Sequence, residues 1–142
     1  MPTLNRLLYT GKVRTIGGRD GASRSSDGSL DIKLSPPNRS GSGTNPEQLL
    51  AAGWSACFGD SLRQAARKLD VTPPPEPIID AEVDLVTGDA GLVLRARLTI
   101  SLPGVEDAVA QRLVTAAHQT CPYSRATRGN IEVVLSLRLG ID

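Results

Sequence analysis

The stretch TNPEQLLAAGWSACFGD, residues 44 to 60, carries no charged side chain between Glu47 and Asp60. From Leu49 to Ala56 it uses only Leu, Ala, Gly, Trp and Ser. A helix that is apolar nearly all round has no face to offer water and must be buried. Two registers start it. Thr44 can cap it with Glu47 reaching back in a capping box, or Asn45 can cap it with Pro46 at the first helical position. Beyond Asp60 the pattern turns amphipathic, with Leu62, Ala65, Ala66 and Leu69 inward and Arg63, Arg67 and Lys68 outward. The PPPEP run at 73 to 77 ends the helix in a stiff connection.

What covers this helix is written around it. RLLYTGKVRTIG at 5 to 16 carries β-formers in rough alternation, GGRDG at 17 to 21 signals a turn, and SLDIKLS at 29 to 35 alternates cleanly. These read as an antiparallel hairpin with a long polar connection, and PPNRSGSG at 36 to 43 as loop. IIDAEVDLV (78 to 86) and GLVLRARLTISL (91 to 102) form a second hairpin about TGDA. Residues 103 to 121 have helical periodicity, Pro122 limits its continuation, and IEVVLSLRLG closes the chain as a strand. The expected order is β-β-α-β-β-α-β, a single α+β domain over residues 1–142 with antiparallel sheets and two main helices.

Sixteen basic and fifteen acidic residues leave a net charge of +1, no electrostatic footprint for nucleic acid or an acidic membrane surface. No apolar run approaches the ~20 residues of a membrane span. The N-terminal segment reads as no signal peptide, which points to a reducing cytoplasm. There, two cysteines favour reactivity or ligation over a structural staple. Of the four aromatics, Tyr9, Trp54, Phe58 and Tyr123, three lie within three residues of a cysteine.

Cys57 sits mid-helix in the apolar stretch, and Cys121 ends the second helix, directly before Pro122. Composition alone divides evenly between inert and reactive thiols. Metal binding is weaker, since His118 adds only a third soft ligand and no CxxC spacing is present. A reactive Cys57 in apolar surroundings needs a nearby cation to hold its thiolate. Arg19 is a candidate, because its flanking glycines let a loop approach closely, and Glu47 is a matching carboxylate. Each also has an ordinary reading, Arg19 as a solvated turn residue and Glu47 as a helix cap.

The blocks GGRDG, TNPEQLLAAGWSACF and AHQTCPYSRATRGNIEV resemble, in that order, those of the organic hydroperoxide resistance proteins, the Ohr branch of the Ohr/OsmC family. The likeness spans essentially the whole chain. Leu50 and Trp54 stand where the family more often carries Phe and Tyr, a difference in pocket shape. The resemblance implies an intertwined homodimer with active sites at the subunit interface. It also implies a cysteine peroxidase that binds no haem, metal or flavin. Cys57 would be the peroxidatic residue, Cys121 the resolving one, and Arg19 and Glu47 the pair that activates Cys57. The substrates would be alkyl and fatty-acid hydroperoxides, and the reductant a dihydrolipoyl group on a lipoylated protein. Trp54, Phe58 and Tyr123 would wall the substrate site.

On one continuous helix, Glu47 and Cys57 stand about 15 Å apart in rise and roughly 80° in azimuth, too far for one arginine to bridge easily. The helix starts after Glu47, bends near Gly53, or takes its carboxylate from a partner chain. The last is preferred, since so uncharged a helix needs more cover than one small domain supplies. His118 falls one turn before Cys121 and reads as structural support rather than as a base, because no group is evident to orient it. Arg128 and Asn130 are expected to fix the turn into the last strand. An OsmC-type peroxidase of different substrate range, or a redox-sensing module, would use the same disulfide.

Overall fold

Glycine-rich turns and two tight side-chain locks divide the N-terminal segment into three short strands instead of two. The computed structural model describes residues 5–37 and 41–139. The loop expected at 36 to 43 therefore lies partly outside the described residues, as does Gly140 of the closing strand. The chain forms two compact units that divide after Pro46.

In the first unit, β1 (Val13–Ile16), β2 (Ala22–Ser25) and β3 (Asp31–Lys33) form an antiparallel meander in the order β1-β2-β3. The expected pairing of the flanking segments is corrected here: β2, within the supposed connection, lies between them. ASRS escapes a hydrophobic pattern because its inward residue is Ser23, whose hydroxyl meets Thr15 Oγ1 at 2.7 Å across the strands. The following turn is tight. Asp27 accepts bonds from Ser25 Oγ (2.6 Å), Ser29 Oγ (2.7 Å) and the Ser29 amide (3.0 Å), which hold its carboxyl at about 2. Gly28 takes the left-handed φ of +77° that this turn requires.

The second unit opens on α1 (Pro46–Lys68), which runs without interruption. Its start at Pro46 matches the register with Asn45 before it, and no later start occurs. β4 (Ile78–Gly88) and β5 (Gly91–Ser101) form the expected hairpin, closed by Asp89 and Ala90. After β5 the chain passes through α2 (Asp107–Thr120) and α3 (Pro122–Thr127) and returns as β6 (Glu132–Arg138), paired parallel to β5. This sheet is thus mixed, where antiparallel sheets were expected. The helical crossover brings the chain back to the end of β5 from which a parallel partner starts.

One face of the β4-β5-β6 sheet is apolar. Ala96, Leu98 and Ile100 of β5 are buried against Trp54, Phe58, Leu62 and Ala66 of α1 and Leu113 and Ala117 of α2. The other face is charged. Asp84 accepts from Arg95 Nε at 2.7 Å and from both Arg97 terminal nitrogens at 2.7 and 2.9 Å, and these guanidiniums hold its carboxyl far below the usual range. Period-two alternation sorts the strand residues between these faces. Among the described residues, no helix is long and apolar enough to cross a membrane.

The uncharged stretch of α1 is only partly covered within one chain. Trp54 and Phe58 are fully buried, whereas Ala52 and Ala56 are exposed and Leu49 and Leu50 half-buried. The expectation of full burial thus holds for one side of the helix.

Candidate active site

The site is assembled where α2 stops. Cys121 leaves the helical region with φ −59° and ψ 122°. Its own amide still closes α2 on the Ala117 carbonyl at 2.8 Å, and its carbonyl opens α3 by accepting the Arg125 amide at 2.9 Å. Pro122 then serves as the first residue of α3. Proline has no N–H to lose at that position, so a residue that ends one helix starts the next.

The first turn of a helix leaves amides with no partner in the helix itself. In α3 the first available is that of Tyr123, which lies near the Cys57 thiol. Cys57, half-buried near the middle of α1, is also a near neighbour of the fully buried Cys121. Both cysteines are free thiols. A donor amide and a second thiol therefore converge on one partly accessible sulfur.

Burial pushes the Cys57 thiol up, followed by the hydrogen bond and charge of Cys121 and, last, the charge of Asp60. The Tyr123 amide acts in the opposite sense, because a donor stabilises the thiolate. The groups acting on Cys57 within this unit, the amide apart, thus favour the neutral thiol. A thiolate at neutral pH needs positive charge from elsewhere.

α3 is seated on α1 through the Tyr123 ring. A Cβ placed on Gly53 would lie 2.7 Å from Tyr123 Oη and 3.2 Å from Cζ, so only glycine admits the ring this close. Gly53 is therefore a seat for the ring. Sequence reasoning missed this role, although an isolated glycine inside a helical pattern is itself a signal of close approach. It also missed Ser124, which is fully buried and lies 3.0 Å from His118 Nδ1 through its Oγ. Burial, and then the nearby charge of Arg128, push the His118 pKa down.

Trp54 and Phe58, expected in the substrate wall, belong to the closed core behind the sulfurs, and Trp54 Nε1 is buried without a hydrogen-bond partner. Tyr123 is 37 % exposed. Glu47 lies in the first turn of α1, half-buried. Arg19 belongs to the first unit, exposed in the single 3-10 turn Gly18–Asp20 between β1 and β2. Arg128 was expected in the turn into β6, but its guanidinium ties the elbow by donating to the His118 carbonyl; the Asn130 amide bonds the Thr127 carbonyl at 3.0 Å within that turn. Among the described residues, no group of three or more His, Cys, Asp or Glu is placed to hold a metal.

An α+β unit with two facing thiols at a helix junction defines a dithiol protein. The chain is similar to known proteins along nearly its whole length. The family model for OsmC-like protein matches residues 39–136. An organic hydroperoxide resistance protein of Xanthomonas axonopodis pv. citri is 45% identical over 143 residues, covering 96% of this chain and 99% of that one. The crystal structure of OhrB, an organic hydroperoxide resistance protein of Bacillus subtilis, superposes with a TM-score of 0.87 at 40% identity, covering 93% of this chain and all of that one (100%). A Vibrio cholerae organic hydroperoxide resistance protein, solved with captopril in one of its active sites, superposes with a TM-score of 0.86 at 38% identity, covering 93% of each chain. The chain belongs to the OsmC-like family, in its organic hydroperoxide resistance (Ohr) branch.

Proposed function

We propose that this protein is a thiol-dependent peroxidase that reduces organic hydroperoxides to alcohols. The observation that carries the reading is the nearness of the half-buried Cys57 thiol to the Cys121 thiol. The Cys57 thiolate attacks the terminal oxygen of ROOH, the O–O bond breaks, and RO⁻ leaves as the alcohol after taking a proton. Cys57 is then a sulfenic acid, the reversible first rung of thiol oxidation. The Cys121 sulfur displaces its hydroxyl as water, and the Cys57–Cys121 disulfide forms. A dihydrolipoyl group, carried by a lipoylated protein, reduces that bond by thiol–disulfide exchange and itself becomes the cyclic disulfide. No bound cofactor takes part.

Arg19 supplies positive charge to the Cys57 thiolate, and Glu47 orients its guanidinium through a charge-assisted pair. The uninterrupted course of α1 puts Glu47 and Cys57 about 15 Å apart along the axis, which favours a carboxylate from the partner chain. The incompletely covered α1 supports a homodimer in which both units act as one Ohr-type domain, with active sites at the interface. Apolar surroundings, with the partly exposed Tyr123 ring at the surface and the closed core of Trp54 and Phe58 beneath, favour alkyl and fatty-acid hydroperoxides over hydrogen peroxide. They also keep the local dielectric low, so that the Arg19 charge counts for more. A cytoplasmic location, where thiols are kept reduced, suits a dithiol enzyme of this kind.

The test is mass-spectrometric mapping after one equivalent of cumene hydroperoxide. The expected product is the Cys57–Cys121 bridge, which dihydrolipoamide reopens. Two thiols that stay titratable after peroxide treatment contradict the proposal.

A further inference from the structure

Three ties cross the elbow at Cys121. His118 Nδ1 lies 3.0 Å from Ser124 Oγ, the Arg128 guanidinium donates to the His118 carbonyl, and the Arg125 amide bonds the Cys121 carbonyl at 2.9 Å. α3 spans six residues, too few to hold itself as an isolated helix, so its direction is set by what it is tied to. Its third residue, Ser124, has no exposed surface, and the imidazole is the partner recorded for its hydroxyl. Loss of that partner leaves a buried hydroxyl unsatisfied and gives α3 a reason to shift. The residue immediately before Ser124 is Tyr123, whose ring is seated against Gly53, one turn before Cys57 on α1, and whose amide lies near the Cys57 thiol.

We propose that His118 is a positioning residue of the dithiol site: through Ser124 it holds α3 in the orientation that aims the Tyr123 amide at the Cys57 sulfur. This rests on the reading of Cys57 as the reacting thiol. The imidazole does not touch the peroxide; it acts through α3. Burial keeps it neutral at pH 7, with one ring nitrogen a donor and the other an acceptor, as a bond to a hydroxyl can use. The charged group facing His118 is Arg128, and the titratable groups facing Cys57 are Cys121 and Asp60.

The experiment follows alkylation of Cys57 by iodoacetamide in the reduced full chain, from pH 6 to 10, with the Cys57 peptide quantified by mass spectrometry. His118→Ala and Ser124→Ala should raise its midpoint by about one pH unit, a tenfold loss of thiolate at fixed pH. His118→Asn sets an amide near the place of Nδ1 and should restore the profile. A purely structural tie would lower the melting temperature and leave the midpoint where it is. Midpoints within about 0.2 unit of the unmodified chain in Ser124→Ala and His118→Ala overturn the proposal. Ser124→Ala removes a single oxygen and decides the matter even where His118→Ala does not fold. Because alkylation needs no peroxide, a shifted midpoint with no disulfide under cumene hydroperoxide would sink the peroxidase reading and leave the positioning role standing.

Discussion

Two glycines of α1 should respond oppositely to the same substitution. Alanine in a helix interior is favoured over glycine by about 0.5–1 kcal/mol, since it costs less backbone entropy to order. At Gly59 the new methyl would lie 3.4 Å from Ile79 Cδ1 and 3.9 Å from Pro77 Cγ, ordinary contact distances. Gly59→Ala should therefore keep the full gain and raise the melting temperature by roughly 2–4 °C. At Gly53 the methyl would meet Tyr123 Oη at 2.7 Å, so the ring must retreat by the better part of an ångström. The ring can swing, being 37 % exposed, but it then leaves its seat and carries the Tyr123 amide with it. Gly53→Ala should thus show no net gain, and Cys57 should alkylate more slowly at pH 7.5. In a Tyr123→Phe background the closest atom is gone and Cζ at 3.2 Å needs to move only slightly, so most of the gain should return. The cycle of four proteins, unfolded by urea and by heat under reducing conditions, should give a coupling near 1 kcal/mol. Equal effects of Gly53→Ala in the two backgrounds would refute the seating of Tyr123 on that glycine.

Other outcomes follow from the proposed activity and from the packing of the sheet. Cys57→Ser should abolish organic peroxide consumption, whereas Cys121→Ser should complete about one turnover and accumulate a sulfenate that dimedone traps; equal loss of the first turnover in both contradicts the assigned roles. Arg19→Ala should raise the Cys57 pKa by 1–2 units and slow its oxidation about ten- to a hundredfold at pH 7, read by stopped flow with one equivalent of peroxide. Asp84→Asn leaves Arg95 and Arg97 side by side without their carboxylate. Because Asp84 is held below its ordinary pKa, its stabilisation is fully present above the unfolded value near 4 and fades as pH falls below it. The gap in melting temperature between the two proteins should accordingly close from pH 6 toward pH 2 and shrink in high salt.

The elements with a strong period were legible. α1, the β4-β5 hairpin and α2 appear where apolar spacing put them, because burial of one face is what drives each to form. β2 was hidden because its inward position is Ser23, polar yet satisfied across the strands by Thr15. The parallel pairing of β6 was hidden as well, since alternation reports which face a residue takes and not which way its neighbour runs. At the site, the residue types and blocks identified both cysteines, but their contact and the Tyr123 amide are tertiary facts. Pro122 was read as a stop and is also a start, the usual ambiguity of a residue that suits a first helical turn.

Trp54 is the sole indole of the chain and is sealed from solvent one helical turn before Cys57. With no hydrogen-bond partner on Nε1, its emission should be blue-shifted and insensitive to aqueous quenchers. Sulfur quenches indole to different degrees as thiol, thiolate and disulfide. The fold therefore contains its own optical gauge of the dithiol, and each half of the proposed cycle should be timeable on unlabelled protein.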